Sequence, residues 1–439
     1  MNKKFKSLYH QLAALDASNK SDLIVCSELA LELGLRRKAA EFMSLLHEIP
    51  IFLKTKLALL EGDIRLATKL AFSFLSEAKN RSKSTAEVRA YSRLIAIVSP
   101  EIVFQLAEIY GIKATPAYAA LIAKECPSDA AFLLRNKLSR FNPEDWLIKS
   151  NILPENNKEK FFFKYLNCYG ISGGAENYLD GYRFSSKIKD GFLPSQKAGG
   201  VSVIITSFNC EKYIKRSIIS LMNQSIVPFE IIVVDDASTD GTLKVLKEMA
   251  LYWPSLRVIS LNTNVGTYAA KNIGIKAAQG DYVTFQDADD WSHPRRLEIC
   301  RAELEKRRYL VAVSSLYLRR TSNGLFFSPK LWPLTQWSPN TIFFDRRAIG
   351  GKRMRFDNTR TGGDSEFVAR LKVVFGDRAH KKLHLPLMLA EHRSGSLTTD
   401  RLTGLNSFGF SEDRLSYQEM WSERLLDIAR KDLGISNLW

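Results

Sequence analysis

Nothing in the 439-residue chain approaches eighteen uninterrupted apolar residues, so no segment reads as a membrane-spanning helix. The start, Met1-Asn2-Lys3-Lys4-Phe5-Lys6, is basic, but Ser7-Leu8-Tyr9-His10-Gln11 follows where a secretory leader would carry its apolar run. Cytoplasmic residence is expected, with any membrane contact peripheral, at the inner face of the plasma membrane. Cysteine is scarce. Cys26, Cys126, Cys168, Cys210 and Cys300 stand far apart, odd in number and without a Cys-x-x-Cys pair, which excludes a disulfide framework and a zinc ribbon. Acidic residues are also short: 63 Lys and Arg face 47 Asp and Glu, a net charge of +16. That balance favours phosphate-rich or otherwise anionic partners. Nucleic acid is not among those expected, since neither a recognised motif nor basic–aromatic interleaving accompanies the charge. What is present is the composition of a folded protein: 45% apolar and 11% aromatic residues can build a core over about two to three domains.

Two regimes of hydrophobic periodicity divide the chain. Over 1–145 the pattern is helical. Leu29-Ala30-Leu31 leads to Gly34 and then Arg37 and Ala39; Leu57-Ala58-Leu59 leads to Gly62, Arg65 and Ala67; Leu106-Ala107 leads to Gly111. A helix ending at a Gly cap and followed at once by another suggests stacked helical hairpins. The segment resembles tetratricopeptide-like repeats with a short, degenerate period, although an irregular bundle fits the pattern equally. Without a cluster of chemical groups, it reads as a surface for a protein partner or a second copy. Residues 146–199 form a connecting segment that ends in Ser195-Gln196-Lys197-Ala198-Gly199-Gly200.

From 200 to about 400, short β-branched runs alternate with amphipathic stretches. Val201–Thr206, Glu230–Val234, Leu256–Ser260 and Tyr282–Phe285 are expected strands; Glu211–Asn223, Thr239–Ala250, Gly266–Ala278 and Pro294–Lys306 are expected helices. That alternation predicts an α/β fold with a mainly parallel sheet and ligands at the carboxyl ends of its strands. Residues 401–439 read as a helical extension.

Polar motifs fall at those strand ends. Thr206-Ser207-Phe208-Asn209 follows the first strand, and Asp235-Asp236-Ala237-Ser238-Thr239-Asp240-Gly241 the second. A strand-end carboxylate can accept the N3 hydrogen of a uracil ring while a flat side chain such as Phe208 covers its face. Asp240 and Thr239 suit helix capping instead. Asn264-Val265-Gly266 opens a helix bearing Lys271, an arrangement able to reach a phosphate. Phe285-Gln286-Asp287-Ala288-Asp289-Asp290 ends a strand in hard oxygen ligands suited to Mg²⁺ or Mn²⁺ bridging a diphosphate.

Taken in order, Val201–Asn209, Val233–Thr242, Asn264–Gly266 with Lys271-Asn272, and Asp287-Ala288-Asp289 resemble the successive motifs of family-2 glycosyltransferases of the GT-A, Rossmann-like fold. The resemblance covers about residues 200–400. It implies that Thr206, Phe208 and Asp236, with Asp235 and Gly266 beside them, hold the base of a nucleotide sugar. Lys271 would lie near base and diphosphate, where the family usually has Arg. Asp287 would sit near the ribose and metal, Asp289 on the metal. In Thr361-Gly362-Gly363-Asp364-Ser365-Glu366, Asp364 would be the catalytic base, with Glu366 as the alternative. In the trailing Glu391-His392-Arg393, His392 would complete the metal shell and Arg393 would close over the diphosphate. The Gln-x-x-Arg-Trp signature of processive members is absent. The function so implied is inverting, Mn²⁺- or Mg²⁺-dependent transfer from a UDP-linked sugar to a surface polysaccharide or lipid-linked glycan. The rivals are a nucleotidyltransferase on a related sheet and a helical adaptor carrying an inactive transferase domain. The clusters Arg307-Arg308, Arg319-Arg320, Arg346-Arg347, Lys352-Arg353-Arg355 and Lys381-Lys382 could meet an anionic glycan or a lipid diphosphate.

Overall fold

The structure, a computed structural model, describes residues 6–15, 20–61, 63–78, 142–152, 155–172, 199–321, 324–328, 333–392, 405–406 and 409–434. The helical pattern around Leu106–Gly111, most of the segment Ser195–Gly200, and Arg393 with the residues trailing it lie outside these ranges. The chain divides into two compact units, Met1–Phe162 with Gly324–Leu334 and Arg393–Trp439, and Phe163–Asn323 with Thr335–His392.

The first unit is helical in its described residues, apart from short two-residue strands. Lys20–Leu33 is followed directly by Arg36–Ser44, and Ile51–Leu60 by Ile64–Ala78. Buried Ala30, Ala39, Ala58, Ala67 and Ala71 let these helices pack closely. Gly34 is needed for its φ of 79°, which suits the left-handed cap; the flexible side chain of Gln418 lies over it, 2.4 Å from where a Cβ would stand. Gln418 belongs to Glu412–Leu433, which packs on these helices. There Ser422 Oγ donates to Leu33 O at 2.6 Å, the Arg37 N–H donates to Glu419 at 2.7 Å, and Tyr9 and Ser422 hydroxyls meet at 3.2 Å.

The second unit is built on strands β1 (Val201–Ser207), β2 (Glu230–Asp235), β3 (Leu256–Ser260), β4 (Tyr282–Asp287), β5 (Trp291–Ser292), β6 (Ala312–Thr321), β7 (Gln336–Trp337), β8 (Phe343–Asp345) and β9 (His380–His392). Their order is β3-β2-β1-β4-β8-β6-β9-β5, with β7 pairing on β6. β3 to β4 are parallel, as the alternation predicts; β8 enters antiparallel between β4 and β6, and β5 antiparallel beside β9. The helices between strands are α1 (Glu211–Met222), α2 (Thr242–Tyr252), α3 (Thr267–Ala277) and α4 (Arg296–Lys306), with α5 (Gly363–Phe375) before β9. Ile204, Ile232, Val234, Val283, Phe285, Phe344, Phe356 and Phe367 form the core beneath α3 and α5. Among the described residues no helix is long and apolar enough to cross a membrane.

Two buried histidines tie this unit together as neutral rings. His293 Nε2 donates to Ile171 O at 2.8 Å while Nδ1 accepts the Arg295 N–H at 3.1 Å. His380 meets Ser314 Oγ at 2.8 Å through Nε2, and its Nδ1 has no partner among the described residues. Burial pulls His293 down to about 4; burial, helped by Lys372 and Lys382, pulls His380 down to about 3. Because both folded values lie below the unfolded value of 6.5, their stabilisation is complete above that pH and is lost as pH falls toward the folded values. Moving from pH 7 to pH 5 should therefore lower stability by about 2 kcal/mol per histidine. Urea midpoints at the two pH values check this, and His293→Gln should remove its share of the difference.

Candidate active site

Parallel register brings the motifs to one edge. Thr206 on β1 pairs with Asp287 on β4, and Ser207 pairs with Asp235 on β2. Strand spacing alone thus sets Asp235 and Asp287 on either side of β1, roughly 10 Å apart.

The two carboxylates after β2 have holding roles. Asp235 is buried and accepts from Ser207 Oγ at 3.1 Å, Ser238 Oγ at 2.6 Å and Ser238 N at 3.2 Å. These bonds shape a turn in which Ala237 takes a φ of 61°. Asp236 accepts the Val265 N–H at 2.7 Å through Oδ1 and the Gly266 N–H at 2.9 Å through Oδ2. The backbone donors at the Gly266 turn, expected to face a phosphate, are therefore directed at Asp236. Phe208 stays 45% exposed, a free flat surface beside them. Thr206 Oγ1 meets Thr267 Oγ1 at 3.0 Å, joining the end of β1 to the start of α3. Asp240 caps: it accepts from Thr242 N at 3.0 Å and Glu211 N at 3.1 Å.

Lys271 is buried. Its ammonium sits 5.4, 5.3 and 6.0 Å from the ring centres of Tyr268, Phe285 and Phe356, donates to Asn340 Oδ1 at 2.6 Å and lies 3.9 Å from Asp287 Oδ1. It supports Asp287 from below.

Beneath the Asp287–Asp290 turn lies a dense polar floor. Gln286 Nε2 donates to Ser217 Oγ at 2.7 Å and to Ser217 O at 3.0 Å. The fully buried Arg296 donates to Phe285 O and Thr284 Oγ1, both at 2.8 Å, and to Ser292 Oγ at 2.9 Å. Arg216 donates to Asp289 O at 2.8 Å and to Glu391 at 3.1 Å. Asp290 is held well above the usual carboxylate range, by burial first and then by Asp287 and Asp289; Arg319 and Arg216 oppose the shift. His392, half-buried, is lowered by burial and then by Arg319. Among the described residues no three His, Cys, Asp or Glu side chains converge to hold a metal ion, so Asp287, Asp289 and His392 are not assembled as a closed ligand set. Two carboxylates on one turn still match a cation that retains water and takes its other ligands from a diphosphate.

Asp364 begins α5, and its two oxygens differ. Oδ1 accepts the Tyr268 hydroxyl at 3.0 Å and the Ser365 N–H at 2.9 Å. Oδ2 has no hydrogen-bond partner among the described residues. Gly363 allows the approach, since a Cβ there would lie 2.9 Å from the Tyr268 ring. Glu366 is fully buried, with Arg370 donating to it at 2.8 and 3.1 Å. That pairing ties it to Arg370 one turn further along α5. Tyr268 was not singled out by sequence reasoning; its signal is the ring two residues after Gly266, one turn before Lys271.

Residues 202–370 match Glycosyl transferase family 2. The chain is 36% identical over 132 residues to chondroitin synthase of Escherichia coli, covering 30% of this chain and 19% of that one. It is 35% identical over 113 residues to hyaluronan synthase of Pasteurella multocida, covering 26% and 12%. The crystal structure of S. aureus TarS 1-349 in complex with UDP-GlcNAc aligns with a TM-score of 0.39 at 20% identity, over 54% of this chain and 73% of that chain. The chain thus carries a family-2 glycosyltransferase domain, and it spans less than a fifth of the length of the two curated relatives.

Asp236→Ala should leave the Val265 and Gly266 N–H groups without their acceptor and cost about 1–3 kcal/mol. Asp236→Asn, which keeps one oxygen, should cost less. Urea denaturation of both variants measures the difference.

Proposed function

We propose that the protein transfers a sugar from a nucleotide diphosphate sugar, UDP-linked, to a hydroxyl of a polysaccharide or lipid-linked glycan, with inversion at the anomeric carbon. The observation that carries this reading is Asp364: two donors fix Oδ1, and Oδ2 is left to accept a proton. A carboxylate held in one orientation is what a displacement needs from a general base. The acceptor oxygen attacks the anomeric carbon as its proton passes to Oδ2; the bond to the diphosphate breaks, and the nucleoside diphosphate leaves with the electron pair. Asp236 and Phe208 receive the base, and Thr206 and Asp287 lie between base and diphosphate.

Asp287 and Asp289 would hold a Mg²⁺ or Mn²⁺ ion, with His392 and Arg393, the groups the family resemblance points to, closing that side. The ion supplies charge neutralisation for the leaving diphosphate. The glycan class follows the names of the relatives, which make chondroitin and hyaluronan. Arg216, engaged with Asp289 O and Glu391, positions the turn on which the two aspartates stand.

Turnover of a panel of UDP-sugars with Mn²⁺ and with EDTA tests the reading as a whole; full activity in EDTA would remove the ion from it. Asp364→Asn should keep UDP affinity within about twofold while lowering transfer by roughly two to four orders of magnitude. Tyr268→Phe, which removes one of the two donors to Oδ1, should lower it by about one order. If Glu366→Gln damages transfer and Asp364→Asn does not, the base has been misassigned.

A further inference from the structure

Most basic clusters of the transferase unit are engaged. Arg346 donates to Ala278 O at 2.6 Å and Gln279 O at 2.9 Å; Arg347 pairs with Asp345 at 3.0 Å and Asp281 at 3.2 Å. Lys381 and Arg307 both pair with Glu303, and Lys382 stands 4.0 Å over the Trp337 ring. The segment leading into α5 is different. Arg355 and Arg360 are exposed, and neither side chain has an ion pair or hydrogen bond among the described residues.

The backbone carrying Arg355 is nevertheless fixed. Arg370 donates to Arg353 O and Arg355 O, both at 2.6 Å, and Asn272 clasps Phe356 by accepting its N–H at 2.8 Å and donating to its carbonyl at 3.0 Å. The Phe356 ring packs 5.4 Å from Tyr268, whose hydroxyl holds Asp364. Arg360 precedes Asp364 by four residues, so its Cα lies within about 14 Å of the base. Two exposed guanidinium groups with no partner among the described residues, on the segment that leads to the base, offer planar, bidentate donors to an anion.

We propose that Arg355 and Arg360 recognise a negatively charged glycan, so that the acceptor carries carboxylate or phosphate groups close to the hydroxyl that is glycosylated. The inference rests on Asp364 marking the acceptor side. A membrane surface is the poorer match. Interfacial binding wants apolar side chains beside the cations, and the large exposed hydrophobics of the described residues, Phe208, Leu251, Tyr252 and Tyr309 among them, all lie outside 351–364.

The test is equilibrium binding to the full chain at low salt. The probes are tetragalacturonate, a glycerol-phosphate tetramer, carboxyl-reduced tetragalacturonate as the neutral control, and vesicles containing phosphatidylglycerol. At least one charged oligomer should bind about tenfold more tightly than the neutral one, the scale of one charge-assisted contact; which one does so identifies the anion. R355Q/R360Q should lose most of that preference, R355K/R360K should retain part of it, and UDP affinity should stay within about twofold in both. Equal affinity for charged and neutral oligomers, or a preference that survives R355Q/R360Q, overturns the proposal. So does Arg355- and Arg360-dependent binding to vesicles without any oligomer preference. Failure of the wild-type chain to bind UDP, with the anion preference intact, would count against the donor reading alone.

Discussion

A lysine ammonium shut inside a ring of aromatics must be satisfied on every side, and the active-site edge is organised around that demand. Lys271 has the faces of Tyr268, Phe285 and Phe356, the Asn340 carbonyl oxygen and the Asp287 carboxylate around it. They come from four parts of the transferase unit: α3, β4 (which gives both Phe285 and Asp287), the segment before α5, and the turn before β8. A charge removed from water without such partners would cost several kcal/mol, so these parts hold one another in place through it. The same Tyr268 that faces the ammonium turns its hydroxyl to Asp364. The surroundings of Asp287 and the orientation of Asp364 thus share one side chain.

The strand-end carboxylates divide their labour. Asp235, Asp236, Asp240 and Glu366 have their oxygens committed to backbone N–H groups, hydroxyls or Arg370. Asp364 keeps an open oxygen, and the Asp287 side chain is nearly half exposed. Asp235 and Asp236 hold turns of unusual backbone geometry, with positive φ at Ala237 and Gly266.

Much of this was legible beforehand. The parallel half, β1 to β4 with α1 to α4, follows from local periodicity, and every expected element lies within a few residues of the observed one. The entry of β8 between β4 and β6 was not legible, because Phe343-Phe344-Asp345 is short and its pairing with Tyr282–Thr284 joins segments some sixty residues apart. Motif reading found the strand-end carboxylates but could not tell one whose oxygens the fold itself occupies from one with an oxygen left open. For Asp236 and Glu366 the distinction lies in hydrogen bonds to Val265, Gly266 and Arg370 that no pattern in the chain announces. Nor could periodicity show that Glu412–Leu433 packs on helices near the opposite end of the sequence.

That last pairing sets an order of assembly on the ribosome. The helices between Lys20 and Ala78 emerge first, yet the helix that covers Gly34, Arg37 and Tyr9 begins only at Glu412. At about 5–20 residues per second, the early helices wait on the order of half a minute with an apolar flank uncovered, while the transferase unit is completed behind them. Chaperone demand during synthesis should accordingly concentrate on the helices between Lys20 and Ala78, and it eases once Glu412–Leu433 has been made.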